Sequence, residues 1–372
     1  MSIHHIALVL GTRPEAIKVA PLALALEARG CRPHLFLSGQ HPRLDLAGLG
    51  VGHLPADQLR CVPDPDPFAF ARTVAVALAP RIGRSDLVMV QGDTSSALGG
   101  ALAAHDADVP LAHVEAGLRS FDPALPWPEE ENRVTIDRLS SLLFAPTKDN
   151  AENLAREQLA GEVHITGNTG IDALRRLVGS LPKRTGPPVG GLPRLLVTCH
   201  RRENWGLSFV PVALALLALA RSPWIAIDVV LHPNKAMADT VRELLAGRPR
   251  INLLPPLDYR AMVMAMRRSS IILSDSGGVQ EEAPALGVPL LILRSKTERP
   301  EGIRSGNSKL VGTDTRLIIE EVERLLEDSD AHAAMALPAL PYGDGHAAER
   351  IADASLAWLD RRKRVERPRL IA

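Results

Sequence analysis

Acidic side chains follow two predicted strands at the point where each strand ends. Asp93 comes just after one apolar run and Glu115 directly after the next, and a polar loop then brings Glu129, the first of three consecutive glutamates. Carboxylates at the carboxyl ends of buried strands face a binding cleft, where burial and neighbours suit them to acid–base catalysis. Alone, Asp93 is better explained as a helix cap and Glu129 as a first helical turn. Asp93 and Glu115 together favour a catalytic site.

A turn after the first predicted strand places cations at the start of a helix. Arg13 and Lys18 flank Pro14, a residue that suits the first turn of a helix. A helix N-terminus presents free N–H groups and the positive end of a dipole, so this segment predicts an anion site. The alternative is a surface turn with Glu15 as a cap, because no glycine-rich dinucleotide fingerprint accompanies the cations.

Basic and imidazole side chains follow predicted strands in the second half of the chain. His200 precedes two arginines directly after one strand, and His232 follows another. Imidazole and guanidinium groups at strand ends suit a phosphorylated ligand.

A serine and two glycines stand where a strand of the second half meets a helix. Ser276 and the amides of Gly277 and Gly278 are suited to bind a diphosphate on the helix dipole. Glu282, one turn into that helix, is placed to accept hydrogen bonds from a ribose diol, and Arg299 extends the same edge. Within a Rossmann-like half, this combination predicts nucleotide binding.

Short apolar runs without strict alternation recur along the chain, each followed by a turn and a helical pattern. Such runs are typical of strands covered by helices on both faces. The repeated βα units predict an α/β fold of two Rossmann-like, doubly wound parallel-sheet domains, with ligands at the carboxyl strand ends and the cleft between domains as the default site. The predicted strands are 6–10, 33–37, 86–91, 111–114, 142–145 and 163–166, then 195–198, 225–231, 251–254, 271–274 and 289–293.

These patterns also predict the domain boundaries. We expect an N-terminal domain with the catalytic acids over 1–175 and a linker over 176–193, whose Pro/Gly-rich part has no hydrophobic period. A nucleotide-binding domain follows over 194–345. A final helix and basic tail over 346–372 are expected to pack back on the N-terminal domain.

The bulk composition argues against several classes of protein. The 43 basic and 43 acidic residues among 372 give a net charge of zero, which does not favour a nucleic-acid or membrane-surface protein. No signal peptide or spanning apolar stretch is apparent. Cys31, Cys61 and Cys199 are far apart and fit a reducing cytoplasm without metal spacing.

The motifs, taken in order, resemble those of the bacterial non-hydrolysing UDP-N-acetylglucosamine (UDP-GlcNAc) 2-epimerases. The resemblance covers nearly the whole chain, and the ordered series is far more specific than any one motif. It is carried by GTRPEAIK at 11–18, GDT at 92–94, HVEAGLR at 113–119, PWPEE at 126–130, ITGNT at 165–169, HRREN at 200–204, DSGGVQEEAP at 275–284 and PYGDG at 341–345.

This resemblance implies a GT-B fold, a homodimer and interconversion of UDP-GlcNAc with the mannosamine epimer UDP-ManNAc, which supplies cell-surface polysaccharide. The implied route eliminates UDP to a glycal and adds it back, with neither NAD nor a bound metal. The family's catalytic positions fall on Asp93, Glu115, Glu129 and His200. Its UDP-contacting positions fall on Arg13, His232, Ser276, Gly277, Gly278 and Glu282, and we add Lys18, Arg133 and Arg299 as candidate substrate ligands.

The chain also departs from the family pattern. Gln91 stands where the family usually has His, Glu131 replaces a small or apolar residue, and 64–67 replaces a Gly/Gln-containing stretch, which puts allosteric activation by UDP-GlcNAc in doubt. Four alternatives stay open: a hydrolysing epimerase that releases ManNAc, an epimerase of a related UDP-diacetamido-uronic acid, a glycosyltransferase of the same fold, and a catalytically silent UDP-sugar sensor. The four catalytic-type residues argue against the sensor.

Overall fold

The structure, a computed structural model, describes residues 3–181, 191–199 and 206–366, except the side chains of 365 and 366. The chain divides into two compact units. The first comprises Met1–Arg175 and Tyr342–Ala372, and the second comprises Arg176–Pro341.

The first unit contains a parallel sheet of seven strands within the described residues, in the order β3-β2-β1-β4-β5-β6-β7. Chain order reverses between β1 and β4, as in a doubly wound fold. The strands are β1 (His5–Leu10), β2 (Arg32–Leu37), β3 (Ala56–Gln58), β4 (Leu87–Gln91), β5 (Leu111–Val114), β6 (Leu142–Ala145) and β7 (Glu162–Ile165). The helices between them are α1 (Arg13–Ala28), α2 (Pro67–Ile82), α3 (Ser95–Asp106), α4 (Glu129–Leu139), α5 (Lys148–Arg156) and α6 (Thr169–Gly179).

Apart from His5, the central strands β1, β4, β5 and β6 are buried at every position because helices cover both faces. Along β1, Ile6, Leu8 and Leu10 join one core with α1, whereas Ala7 and Val9 join a second core with α2 and α3. Successive side chains of a strand point to opposite faces, so a strand between two helical layers has no exposed face.

The second unit repeats this architecture with six described strands in the order β10-β9-β8-β11-β12-β13. They are β8 (Arg194–Thr198), β9 (Ala226–Val230), β10 (Ile251–Leu254), β11 (Ile271–Ser274), β12 (Leu290–Ile292) and β13 (Ser308–Leu310). A 3₁₀ helix (Gly206–Phe209) precedes α7 (Val210–Leu219), and the further helices are α8 (Lys235–Leu245), α9 (Tyr259–Arg268), α10 (Gly277–Leu286), α11 (Glu301–Arg304), α12 (Thr315–Glu327) and α13 (Ser329–Met335). The predicted fold class is confirmed.

The chain then returns to the first unit through α14 (Ala347–Glu366). Ile351, Ala352 and Leu359 of this helix are buried in the core that contains β1 and α1. The last helix therefore completes a layer of the first unit rather than projecting as a tail.

Two boundaries differ from the sequence-based expectation. The first residues of the predicted 176–193 linker are helical, because the apolar period of α6 continues to Gly179, and residues 182–190 lie outside the described residues. The first unit resumes at Tyr342 rather than 346, because the segment before α14 already packs on that unit. Within the described residues, no helix is long and apolar enough to cross a membrane, and no group of three His, Cys, Asp or Glu side chains is arranged to hold a metal ion.

Candidate active site

Glu115 lies at the carboxyl end of β5 in a turn that few side chains adopt. Its φ of 76° is in the left-handed region, and its N–H and that of Ala116 both donate to the carbonyl of Phe144 at 3.1 Å. Non-glycine residues in this region are uncommon and cluster at functional sites. The turn directs the Glu115 carboxylate back over the ends of the neighbouring strands.

Nitrogen donors from separate parts of the first unit converge on the Glu115 carboxylate. Lys18 Nζ lies 2.7 Å from Oε1, Asn168 Nδ2 donates to Oε1 at 2.9 Å, and the Gln91 amide donates to Oε2. All four side chains are buried, with Glu115 at 6% exposure. A buried carboxylate is stable as an anion only when it is paired and hydrogen-bonded, and these donors supply both conditions.

Asp93 follows β4, the neighbour of β5, and is held by Arg133 of α4. Arg133 Nε lies 3.0 Å from Asp93 Oδ2, while Asn132 donates to the Asp93 carbonyl at 2.8 Å. Arg133 is only 1% exposed and also donates to Glu130 at 2.8 Å. Arg133, expected to bind substrate, is therefore placed to orient Asp93.

The consecutive glutamates at the start of α4 have different environments. Glu129 is partly buried, Glu131 is exposed, and Glu130 is buried. The Glu130 carboxylate accepts from the N–H groups of Ser120 and Phe121 at 3.0 Å and so fixes the loop after β5. Sequence alone could not separate these roles, since each residue is a glutamate in a first helical turn.

The turn after β1 is tied to the turn after β4 through Glu15. The Glu15 carboxylate accepts from the N–H of Thr12 at 2.6 Å and from the hydroxyl of Thr94 at 2.7 Å. Burial raises the pKa of Glu15 to about 7, although these hydrogen bonds act in the opposite direction. Arg13 is exposed at the start of α1, and its N–H donates to His41, so of the two cations predicted here only Arg13 faces outward, while Lys18 engages Glu115.

A buried charge network lies behind these two strand ends. His113 Nδ1 is 2.6 Å from Asp137, and its Nε2 is 2.8 Å from the carbonyl oxygen of Gly92, the residue before Asp93. Burial opposes ionisation of Asp137, yet the adjacent His113 and Arg119 hold the pKa of its carboxyl below the ordinary value. The network fixes the backbone on which Asp93 is carried.

The turn between β11 and α10 in the second unit presents a helix N-terminus. Ser276 is the N-cap, but its hydroxyl makes no capping hydrogen bond to the helix. A Cβ at Gly278 would meet only Ser276 Oγ, at 4.0 Å, among the described atoms, so the surface beside Gly278 is open. Free helical N–H groups beside an open surface suit a phosphate.

Gly277 and Arg299 are coupled by close packing. A Cβ at Gly277 would lie 2.9 Å from Arg299 Cζ. The Arg299 guanidinium is buried, donates to Glu281 at 2.7 Å and also contacts Glu298. Arg299, expected as a substrate ligand, is therefore placed to support the start of α10.

Glu282 and His232 are both oriented by hydrogen bonds. Tyr259 Oη donates to Glu282 Oε1 at 2.9 Å, and burial followed by the nearby Glu282 carboxylate raises the pKa of Tyr259, which keeps it a donor. His232 Nδ1 accepts from the N–H of Asn234 at 2.9 Å, so the neutral ring carries its proton on Nε2. His200, the remaining predicted catalytic residue, lies outside the described residues.

Comparison with known proteins decides the family. The family model described as UDP-N-acetylglucosamine 2-epimerase matches residues 75–356. The UDP-N-acetylglucosamine 2-epimerase of Escherichia coli K12 is 39% identical, with 93% of this chain and 96% of that protein covered. The crystal structure of UDP-GlcNAc 2-epimerase from Neisseria meningitidis bound to UDP-GlcNAc has a TM-score of 0.89 at 36% identity, covering 95% of this chain and 100% of that one. A Methanocaldococcus jannaschii UDP-GlcNAc 2-epimerase in complex with UDP-GlcNAc and UDP has a TM-score of 0.83 at 31% identity, covering 95% and 99%.

The chain belongs to the UDP-N-acetylglucosamine 2-epimerase family. The activity that this membership supports is 2-epimerisation of UDP-GlcNAc, an isomerase reaction. The predicted resemblance to UDP-N-acetylglucosamine 2-epimerases is confirmed.

Within this epimerase fold, the structure brings Asp93 and Glu115 to the ends of adjacent strands and gathers Ser276, Gly278 and Glu282 around α10 of the second unit. Gln91 and Asn168 contact Glu115, although the sequence motifs give neither of them a role. Their positions in the sequence could have indicated these contacts, because Gln91 ends a strand and Asn168 follows shortly after another.

Proposed function

We propose that this chain interconverts UDP-GlcNAc and UDP-ManNAc without hydrolysis, by eliminating UDP and adding it back. The C1–O bond breaks and UDP leaves with its electron pair, while the C2 proton passes to a carboxylate. The product of this step is a 2-acetamidoglucal with a double bond between C1 and C2. Delivery of a proton to the opposite face of C2 and re-addition of UDP at C1 give the epimer.

The paired strand-end carboxylates are the observation that carries this proposal. Asp93 and Glu115 lie on neighbouring strands, and each is held by a buried cation, Arg133 and Lys18 respectively. An epimerisation through a planar intermediate needs acid–base groups on two faces, and fixed carboxylates provide them. Each such group contributes about 10²–10⁴-fold to the rate. We propose Asp93 and Glu115 for these roles, with Glu129 as the other candidate and His200 as a further catalytic group.

Departure of UDP needs stabilisation of a diphosphate anion. We propose that Ser276, Gly277 and Gly278 at the start of α10 bind it, together with Arg13 and the Nε2–H of His232. Glu282 is proposed to accept hydrogen bonds from the ribose. Lys18, Arg133 and Arg299 support the proposal indirectly, because each orients a carboxylate or a helix start by the contacts described above.

The biological setting follows from the chemistry. We propose a cytoplasmic homodimer that uses a UDP-sugar substrate and supplies a ManNAc precursor for cell-surface polysaccharide. No nucleic acid, membrane, NAD or metal partner enters the proposal.

Solvent exchange at C2 tests the mechanism. Incubation with UDP-GlcNAc in D2O, followed by proton NMR, is expected to give UDP-ManNAc that carries deuterium at C2. Asp93→Asn and Glu115→Gln are expected to lose at least ~10²-fold in rate, the scale of one acid–base group. Both variants should still bind UDP, because neither residue lies in the second unit.

Other products would select other functions. Retention of the original C2 proton in the epimer would overturn the elimination route. Release of free ManNAc with UDP would identify a hydrolysing epimerase, and turnover only of a UDP-diacetamido-uronic acid would change the substrate.

A further inference from the structure

Asn168 donates a hydrogen bond to Glu115, and residues far away in sequence hold Asn168 itself in position. It belongs to the loop between β7 and α6, and its side-chain amide reaches Glu115 Oε1 at 2.9 Å. Its own side-chain oxygen accepts from the N–H of Gly170 at 2.8 Å, which fixes the amide orientation. The Nδ2 group therefore points to Glu115 as a donor.

The loop that carries Asn168 is packed directly against the segment through which the chain returns to the first unit. The N–H of Asn168 donates to the carbonyl of Tyr342 at 2.7 Å. Gly167 and Gly343 are in contact: a Cβ at Gly343 would lie 2.9 Å from Gly167 Cα and 3.2 Å from Asn168 N. Because both residues are glycine, the two backbones approach more closely than any side chain would permit.

Further contacts hold the return segment, residues 342–350, in place on the first unit. The Asp172 carboxylate accepts from the N–H groups of Ala347 and Ala348 at 3.2 and 2.8 Å at the start of α14. Arg350 donates to the carbonyl of Thr166 at 3.1 Å and pairs with Asp344 at 2.6 Å. The side-chain hydrogen bond from Arg350 holds the pKa of Asp344 well below its ordinary range, so this pair persists across the neutral range.

We infer that Asn168 is a positioning residue for Glu115, and that the contact between Gly167 and Gly343 holds Asn168 in that position. This gives a role to the return segment, which the proposed function otherwise leaves unused. The inference rests on the proposed role of Glu115 as an acid–base group.

The physical role of Asn168 differs from that of Lys18, which contacts the same oxygen. An amide donor fixes the direction of the carboxylate without adding a second positive charge beside it. Rotation of Glu115 away from the substrate then costs a hydrogen bond to a rigidly held partner. Loss of the amide should therefore slow the proton transfer and leave substrate binding in the second unit unchanged.

Substitution of Asn168 tests the inference directly. Asn168→Ala is expected to lower kcat about tenfold or more, the scale of one hydrogen bond to a charged group, with UDP affinity within about twofold of wild type. Asn168→Asp places a carboxyl beside Glu115, and two such groups share a proton, so the acid limb of the kcat–pH profile should move to higher pH. A merely structural loop residue would not move that limb.

Substitution of Gly343 tests the contact behind Asn168, and the chain offers a matched control. Gly343→Ala forces Gly167 and Asn168 to shift and is expected to lower kcat by about the same factor as Asn168→Ala. Gly345→Ala is the control, because Gly345 also has a positive φ, of 82°, yet the three atoms nearest to a Cβ there all belong to the side chain of Arg175. It should lose some thermal stability and keep kcat.

The outcomes separate this inference from the proposed function. A wild-type chain that does not exchange the C2 proton defeats the proposed function before any variant is compared. With an active wild type, unchanged kcat and pH profile in both Asn168 variants would overturn the inference, as would equal loss of kcat in Gly343→Ala and Gly345→Ala. Should Gly343→Ala fail to fold, the Asn168 variants still decide the positioning role.

Discussion

The two glycines at the start of α10 have different reasons to be glycine. Gly277 faces the buried guanidinium of Arg299, whereas Gly278 faces an open surface among the described residues. Gly278→Ala should leave stability unchanged or raise it by up to about 1 kcal/mol, since alanine is the better helix former. We expect it to weaken UDP binding at least ~10-fold, because the Cβ stands where a phosphate approaches the helix N–H groups. Calorimetric titration with UDP and a thermal melt measure both effects.

Gly277→Ala provides the contrasting case for that prediction. Its Cβ would meet a guanidinium held by Glu281, and overpacking of this kind costs about 1–3 kcal/mol. If Gly278→Ala binds UDP as tightly as wild type does, the diphosphate does not bind at this helix start.

Glu15 makes stability depend on pH near neutrality. Its pKa in the folded chain is about 7, raised by burial above the value of an exposed carboxyl. A raised pKa contributes stability that is fully present below the unfolded value and is lost as pH rises through about 7. The unfolding free energy of Glu15→Gln relative to wild type should therefore rise by roughly 3 kcal/mol between pH 5 and pH 8. Urea unfolding at both pH values measures it, and a difference that does not change with pH would contradict the assignment.

At the scale of elements, α14 depends on a cap from another helix. Asp172 of α6 accepts two N–H groups at the start of α14, so the last helix is held by a residue far away in sequence. Asp172→Ala should lower the unfolding free energy by about 1–2 kcal/mol, the usual cost of losing a helix cap. Chemical denaturation measures it, and Asp172→Asn, which keeps one acceptor oxygen, should lose less. Equal losses in the two variants would mean that the cap hydrogen bonds are not the cause.

At the scale of the whole molecule, we expect a closed two-fold dimer. The net charge of zero removes long-range repulsion between copies, and the family resemblance implies self-association. Light scattering at micromolar concentration should give twice the mass of one chain. A species with the mass of a single chain at that concentration would defeat the expectation.

The pattern of apolar runs in the sequence is enough to predict where most strands lie and which residues follow them. The bounds predicted at 111–114, 142–145, 251–254 and 271–274 are those observed. The strand at 142–145 shows the reason most clearly, because a strand covered on both faces leaves an uninterrupted apolar run. The edge strands β3 and β13 were missed, since they are short and β3 is exposed along its length. Parallel strands bring their carboxyl ends to one edge, so Asp93 and Glu115 could be placed together from sequence.

The partner that each charged side chain meets becomes known only from the folded chain. The place of Lys18 on a helix predicts only an anion site, whereas the structure shows that its ammonium group contacts the Glu115 carboxylate, which Asn168 also reaches. Such contacts join residues far apart in sequence, where no local period or spacing carries information about distance. The return segment, which begins at Tyr342, is the clearest case. Gly167 and Gly343 are in contact because two backbones pack closely in the folded chain, and no local sequence pattern predicts that contact.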